Sequence, residues 1–165
     1  MGFDQPKDGV PAFNRVEFFA NQPPGGYDDG YRVTWLGYYK NIHNGGVEVS
    51  LQSGHFNTAF TVILKSGKVY VIENNQEKLV GSYSQSHNHV VICSVEKAKG
   101  KYHLGVLSGD GVTQTSYEAP VQMPSFWNSE DVYLSILWQT NAPQNASQVD
   151  TYGVSEVSIA ALKKK

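Results

Sequence analysis

The chain has 165 residues, 12% of them aromatic, with a single cysteine and a formal net charge of −2 at pH 7. That length suits one domain built round one core, and the near-neutral balance supplies no cationic field for nucleic acid or for an anionic membrane surface. The lone Cys93 excludes an intrachain disulfide and reads as a small buried hydrophobe within an apolar strand.

No basic region precedes an apolar run at the N-terminus, and no stretch approaches the ~20 apolar residues of a membrane-spanning helix, so membrane insertion is not expected. A single domain over 1–165 is expected, with 1–11 and the basic tail 163–165 loose. Strand period then runs along most of the chain. The first candidate strands are "NRVEFFA" (14–20) and "YRVTWLGYY" (31–39). In the second, Tyr31, Val33 and Trp35 share a face that reads as core, whereas Tyr38, Tyr39 and Asn41 follow Gly37 towards the strand end, where a surface site is expected. "GVEVSLQ" (46–52) comes next. The stretch "SGHFNTAF" (53–60) reads as strand, with His55 and Asn57 on one face and Phe56 and Phe60 on the other.

Residues 60–65 and 68–74 alternate on either side of Ser66-Gly67, a two-residue hairpin turn. Residues 89–95 and 101–107 repeat the design around "EKAKGK", whose Gly100 can supply a positive φ. The segments "DVYLSILWQ" (131–139) and "GVSEVSIA" (153–160) complete nine candidate strands, and only "VSIAALKKK" (157–165) reads as a helical tail. Many short strands separated by Gly, Pro, Asn, Asp and Ser imply an all-β antiparallel β-sandwich of the jelly-roll kind.

The succession "HFNTAF", a Gly-turn hairpin, "VVICSV", "GKYHLGVLSGDG" and a final "VYLSIL…GVSEVSI" resembles that of galectins and laminin-G modules, which are concanavalin-like sandwiches. In galectins a His-Phe-Asn segment followed by Arg, with Trp-Gly-x-Glu-x-Arg on the next strand, forms the galactoside site. The resemblance implies a ligand role for His55 and Asn57. Ala59 stands where the Arg would be, and "ENNQEKLVGSYS" holds neither Trp nor Arg, although Glu73 or Glu77 could replace one acid.

Sugar recognition needs aromatic faces for the C–H patches of the ring and a few oriented amides, carboxylates or hydroxyls for its hydroxyls. Three clusters carry that combination: Tyr38, Tyr39 and Asn41; Trp127 in "MPSFWNSED"; and Trp138 with Gln139. Together with His55 and Asn57 they are the expected ligand contacts. Catalytic signatures are missing: adjacent acids occur only in turns, and there is no nucleophile elbow, phosphate loop or dinucleotide fingerprint. His87 and His89, two apart, read as a surface pair without a third metal ligand. No catalytic residue, metal or cofactor is therefore expected.

The expected function is that of a non-catalytic carbohydrate-binding module or lectin, free-standing or accessory to a larger glycoside-active enzyme, with a glycan or polysaccharide as partner. The alternative is a receptor-binding or oligomerising head domain of a viral or phage attachment protein, which would form a homo-oligomer. Either role places the chain outside the cell or on a virion or cell surface, although the sequence shows no signal peptide.

Overall fold

The computed structural model describes residues 2–4, 12–20, 29–40, 46–129, 131–140 and 151–162. Among them the strands are β1 (Gly2–Asp4), β2 (Ala12–Phe19), β3 (Gly30–Lys40), β4 (Gly46–Ser53), β5 (Asn57–Lys65), β6 (Lys68–Glu73), β7 (Gln76–Ser82), β8 (His89–Glu96), β9 (Lys101–Ser108), β10 (Gln114–Pro120), β11 (Val132–Thr140) and β12 (Thr151–Ala161), with one short 3-10 helix at Pro124–Asn128. Sheet A runs β1-β12-β3-β8-β9-β10 and sheet B runs β2-β11-β4-β5-β6-β7. Every pairing is antiparallel. The fold is the all-β sandwich that the strand period implies.

One core lies between the sheets because alternate residues of each strand turn inward. Val33 and Trp35 of β3, together with Val91, Cys93 and Val95 of β8, face Val47, Val49 and Leu51 of β4 and Leu134, Ile136 and Trp138 of β11, all fully buried. Burial pushes the Cys93 thiol well above its ordinary pKa. Ser66 and Gly67 both have positive φ, which is the turn expected between β5 and β6. Asn74 and Asn75 repeat that geometry between β6 and β7.

The structure corrects several expectations. Residues 54–56 are a turn, not strand: Gly54 and Phe56 take φ values of 51 and 65°, so the chain reverses there and His55 and Asn57 share no strand face. Phe56 consequently stands 61% exposed. The tail reads as helical from composition, yet β12 continues to Ala161, opposite Tyr31, because β3 offers a free ladder of backbone groups. A bulge between Ser155 and Ser158 accommodates it. Gly2–Asp4 pair with β12. His89 is buried while His87 is exposed, so they are no surface pair. The strands β7 and β10, rich in polar residues, were not anticipated by periodicity.

Candidate functional site

Three registers line up residues across sheet B. Glu17 lies opposite Ser135, Ser135 opposite Ser50, and Ser50 opposite Thr61. Their strand neighbours Val16, Ile136, Val49 and Val62 face the core, so this row belongs to the outer face. Outer-face residues are ordinarily exposed, yet Ser50, Thr61 and Ser135 are only 4%, 5% and 5% accessible. On the outer face of sheet A, by contrast, Arg32, His103, Leu107 and Ser116 are all exposed.

The neighbouring rows hold longer side chains, of which Tyr133 and Ile63 are themselves buried, at 7% and 8% accessible. On one side stand Phe19, Tyr133 and Gln52, and on the other Arg15, Leu137, Glu48, Ile63, Tyr70 and Leu79. Short hydroxylated side chains between two rows of long ones form the floor of a trough. It runs across the strands, so its hydroxyls repeat at the ~4.8 Å strand spacing.

Arg15 spans the trough from one wall to the other. Its Nη2 lies 2.7 Å from Glu17 Oε1 and donates to Gln52 Oε1 at 3.5 Å, and its guanidinium sits 5.6 Å from the Phe56 ring centroid. At the far end Lys65 Nζ pairs with Glu77 Oε2 at 2.5 Å and lies 4.8 Å above the Tyr70 ring. Burial raises the Glu48 carboxyl pKa, the Glu77 charge adds to that, and Arg15 opposes it. Phe19, 69% exposed, meets Tyr133 at 5.5 Å on the rim. Hydroxyls that donate and accept, a guanidinium that donates, an amide, carboxylates and an exposed aromatic edge together complement a polyhydroxylated ligand.

The residues singled out from the sequence are dispersed. His55 is exposed in the turn beside Phe56, the residue whose ring meets Arg15. The Asn57 amide oxygen accepts from Ser125 Oγ at 2.7 Å and ties β5 to the 3-10 helix. Tyr38, 41% exposed, lies on the outer face of sheet A over Gly153, where a Cβ would run into its ring. The Tyr39 hydroxyl donates to the Leu64 carbonyl at 2.6 Å, and its ring packs 4.8 Å from Tyr152 between the sheets. Trp138 has no exposed surface and stacks on Tyr152 at 6.1 Å, so it is a core residue and no ligand contact. Trp127 is half-buried. It stacks on Tyr31 at 6.2 Å, meets Phe126 edge-on at 4.9 Å and carries Lys97 Nζ 5.8 Å from its ring centroid. Gln139 falls opposite Gly46 in β11, with its side chain outside the described residues, as is the whole of Asn41.

Arg15, Ser50, Thr61 and Ser135 are the residues that sequence reading missed. Serine and threonine at alternate strand positions look like ordinary solvated surface until the register sets them side by side. Among the described residues no cluster of three or more His, Cys, Asp or Glu could hold a metal ion, and no helix is long and apolar enough to cross a membrane.

No protein-family model and no curated protein matches this sequence. Its structure matches 184 solved chains. One is a sialidase, with a TM-score of 0.62 and 9% identity over 90% of this chain; the chain spans 14% of that sialidase. Another is the lectin UEA-II complexed with galactose, at 0.58 and 8% identity over 92% of this chain and 85% of the lectin. A third is the CBM2 module of Lactobacillus casei BL23 phage J-1 evolved Dit, at 0.57 and 8% identity over 85% of this chain and 68% of that one. The class these define is the lectin-like jelly-roll sandwich, which is broader than galectins and laminin-G modules alone. The likeness is one of fold.

Proposed function

We propose that this chain is a carbohydrate-binding module or lectin that lays a glycan along the hydroxyl trough of sheet B. The observation that carries the reading is the sunken row Ser135, Ser50 and Thr61 with the Arg15 guanidinium across it. A glycan presents hydroxyls at a repeat close to one strand spacing, so each floor hydroxyl meets a successive part of the chain. Phe19, 69% exposed with Tyr133 packed against it, supplies the stacking surface, and exposed His55 is a further contact carried over from the sequence reading. Exposed Tyr38 is a separate plate on the opposite sheet.

The fold likeness to a lectin complexed with galactose and to a carbohydrate-binding module supports this reading. The small share of the sialidase that the chain covers supports an accessory module in a larger glycoside-active protein, and we propose that it acts outside the cell or at its surface. The likeness to a module of a phage Dit protein favours one alternative, a head domain that docks on a protein or glycan receptor.

A glycan array on the purified chain tests the proposal, followed by Arg15→Ala. The variant is expected to lose retention of the array's ligands while its melting temperature holds, since Arg15 is substantially exposed. Unchanged retention would move the site off sheet B.

A further inference from the structure

The strand β5 changes partner along one edge. Residues 62–65 pair with β6, but the carbonyls of Ala59 and Thr58 accept instead from the amides of Gln122 and Met123, at 2.8 and 2.9 Å. Beyond Val71 the strand β6 runs on to Glu73 and turns back through Asn74 and Asn75. The segment leaving β10 enters the fork so formed. Between the two branches lies a cavity of about 160 Å³, lined by Ile72, Glu73, Asn74, Pro120, Val121 and Gln122.

Two features of this cavity point to a ligand. Gln122 lines the cavity, and its Oε1 is buried without a hydrogen-bond partner, so a ligand hydroxyl reaches it only when the terminal amide turns. The Glu73 carboxylate is held in place by Lys78 Nζ at 2.9 Å and by the Tyr117 hydroxyl. Those two bonds also keep its carboxyl below the usual range, that from Tyr117 contributing most. Each of its oxygens retains a lone pair for a further donor.

We propose that this fork is a second binding site, taking a single neutral polyhydroxylated ring such as one hexose unit. An engineered cavity of about 150 Å³ admits benzene, so the present volume suits one six-membered ring and not two. Ile72, Pro120 and Val121 offer C–H surface to the ring carbons, while Gln122 Oε1 and Glu73 accept from its hydroxyls. Both are acceptors, which suits a ring rich in hydroxyl donors, whereas a carboxylate or phosphate, itself an acceptor, finds no donor in them. The site uses none of the trough residues and stands whether or not the trough binds glycan.

The test is an amide NMR titration of the whole chain with neutral methyl hexopyranosides and, separately, with a hexuronate. Neutral rings are expected to shift the Gln122 and Asn74 side-chain amides and the Ile72 and Val121 backbone, with weaker shifts from the hexuronate. Gln122→Leu should cost about tenfold in affinity, the effect of one hydrogen bond to a buried acceptor. Its melting temperature should hold or rise, because the unpartnered atom is gone. Asn74→Gly, which tolerates the positive φ, should also weaken binding, and Arg15→Ala should leave this titration unchanged. Shifts confined to the trough, or full affinity in both Gln122→Leu and Asn74→Gly, would overturn the proposal. A chain that binds hexosides at the fork yet retains nothing on the glycan array would uphold this site and refute the trough.

Discussion

Gly37 leaves the room that the Tyr152 hydroxyl fills. A Cβ at Gly37 would run into that hydroxyl and lie 2.7 Å from His89 Nε2. The same oxygen accepts from Trp35 Nε1 at 3.2 Å and lies 3.0 Å from His89 Nε2, so three buried polar groups satisfy one another between the sheets. Gly37→Ala is expected to displace Tyr152 and strand its partners, at a cost of about 3 kcal/mol from overpacking and a lost buried hydrogen bond. Urea denaturation at neutral pH measures it.

The same cluster makes stability depend on pH. Burial pushes the His89 imidazole down to about 4, whereas in the unfolded chain it titrates near ~6.5. Between these values the unfolded chain binds the extra proton. The contribution of neutral His89 is therefore complete above the unfolded value and falls as pH drops towards the folded one, by up to ~3 kcal/mol. Thermal melts across that window should show the slope, and His89→Leu should flatten it whatever its overall stability.

Trp127, one of the expected ligand contacts, stacks on Tyr31, meets Phe126 edge-on and packs against the core. Trp127→Ala is expected to destabilise by ~2 kcal/mol, less than a fully buried tryptophan would. Denaturation of the variant gives that figure, and affinity for any glycan found on the array should change little.

Removing a floor hydroxyl probes the trough without disturbing its walls. Thr61→Val keeps the β-branched shape, and stability is expected to stay within ~1 kcal/mol. Glycan affinity should fall by about tenfold if that hydroxyl pairs with the ligand. Titration calorimetry on Thr61→Val and Ser50→Ala side by side shows whether the row acts along its length.

The class of fold was legible from local chemistry. Alternation in residues 46–52, 89–95 and 131–139 sorts each strand into a core face and an outer face, and Ser66-Gly67 announces its own hairpin. Parity also places Trp138 with Ile136 and Leu134 in the core, a consequence open to the sequence. Local chemistry failed where pairing outweighed composition. Gln76–Ser82 is mostly polar and becomes strand by lying along β6, while Ala160 and Ala161 extend β12 because β3 stands beside them. His55 left the strand through the φ values of Gly54 and Phe56, and a non-glycine residue at positive φ has little signal in sequence.

The candidate site was decided by tertiary structure alone. Arg15, Ser135, Ser50 and Thr61 come from β2, β11, β4 and β5, of which only β4 and β5 follow one another in the chain, and each taken singly is an unremarkable outer-face residue. The sequence determines which face of its strand each occupies, because side chains alternate with a period of two. Whether a hydroxyl on that face is solvated or sunk depends on which strands pair, in what register, and how long the neighbouring side chains are. That is a property of the assembled sheet, and no single strand carries it.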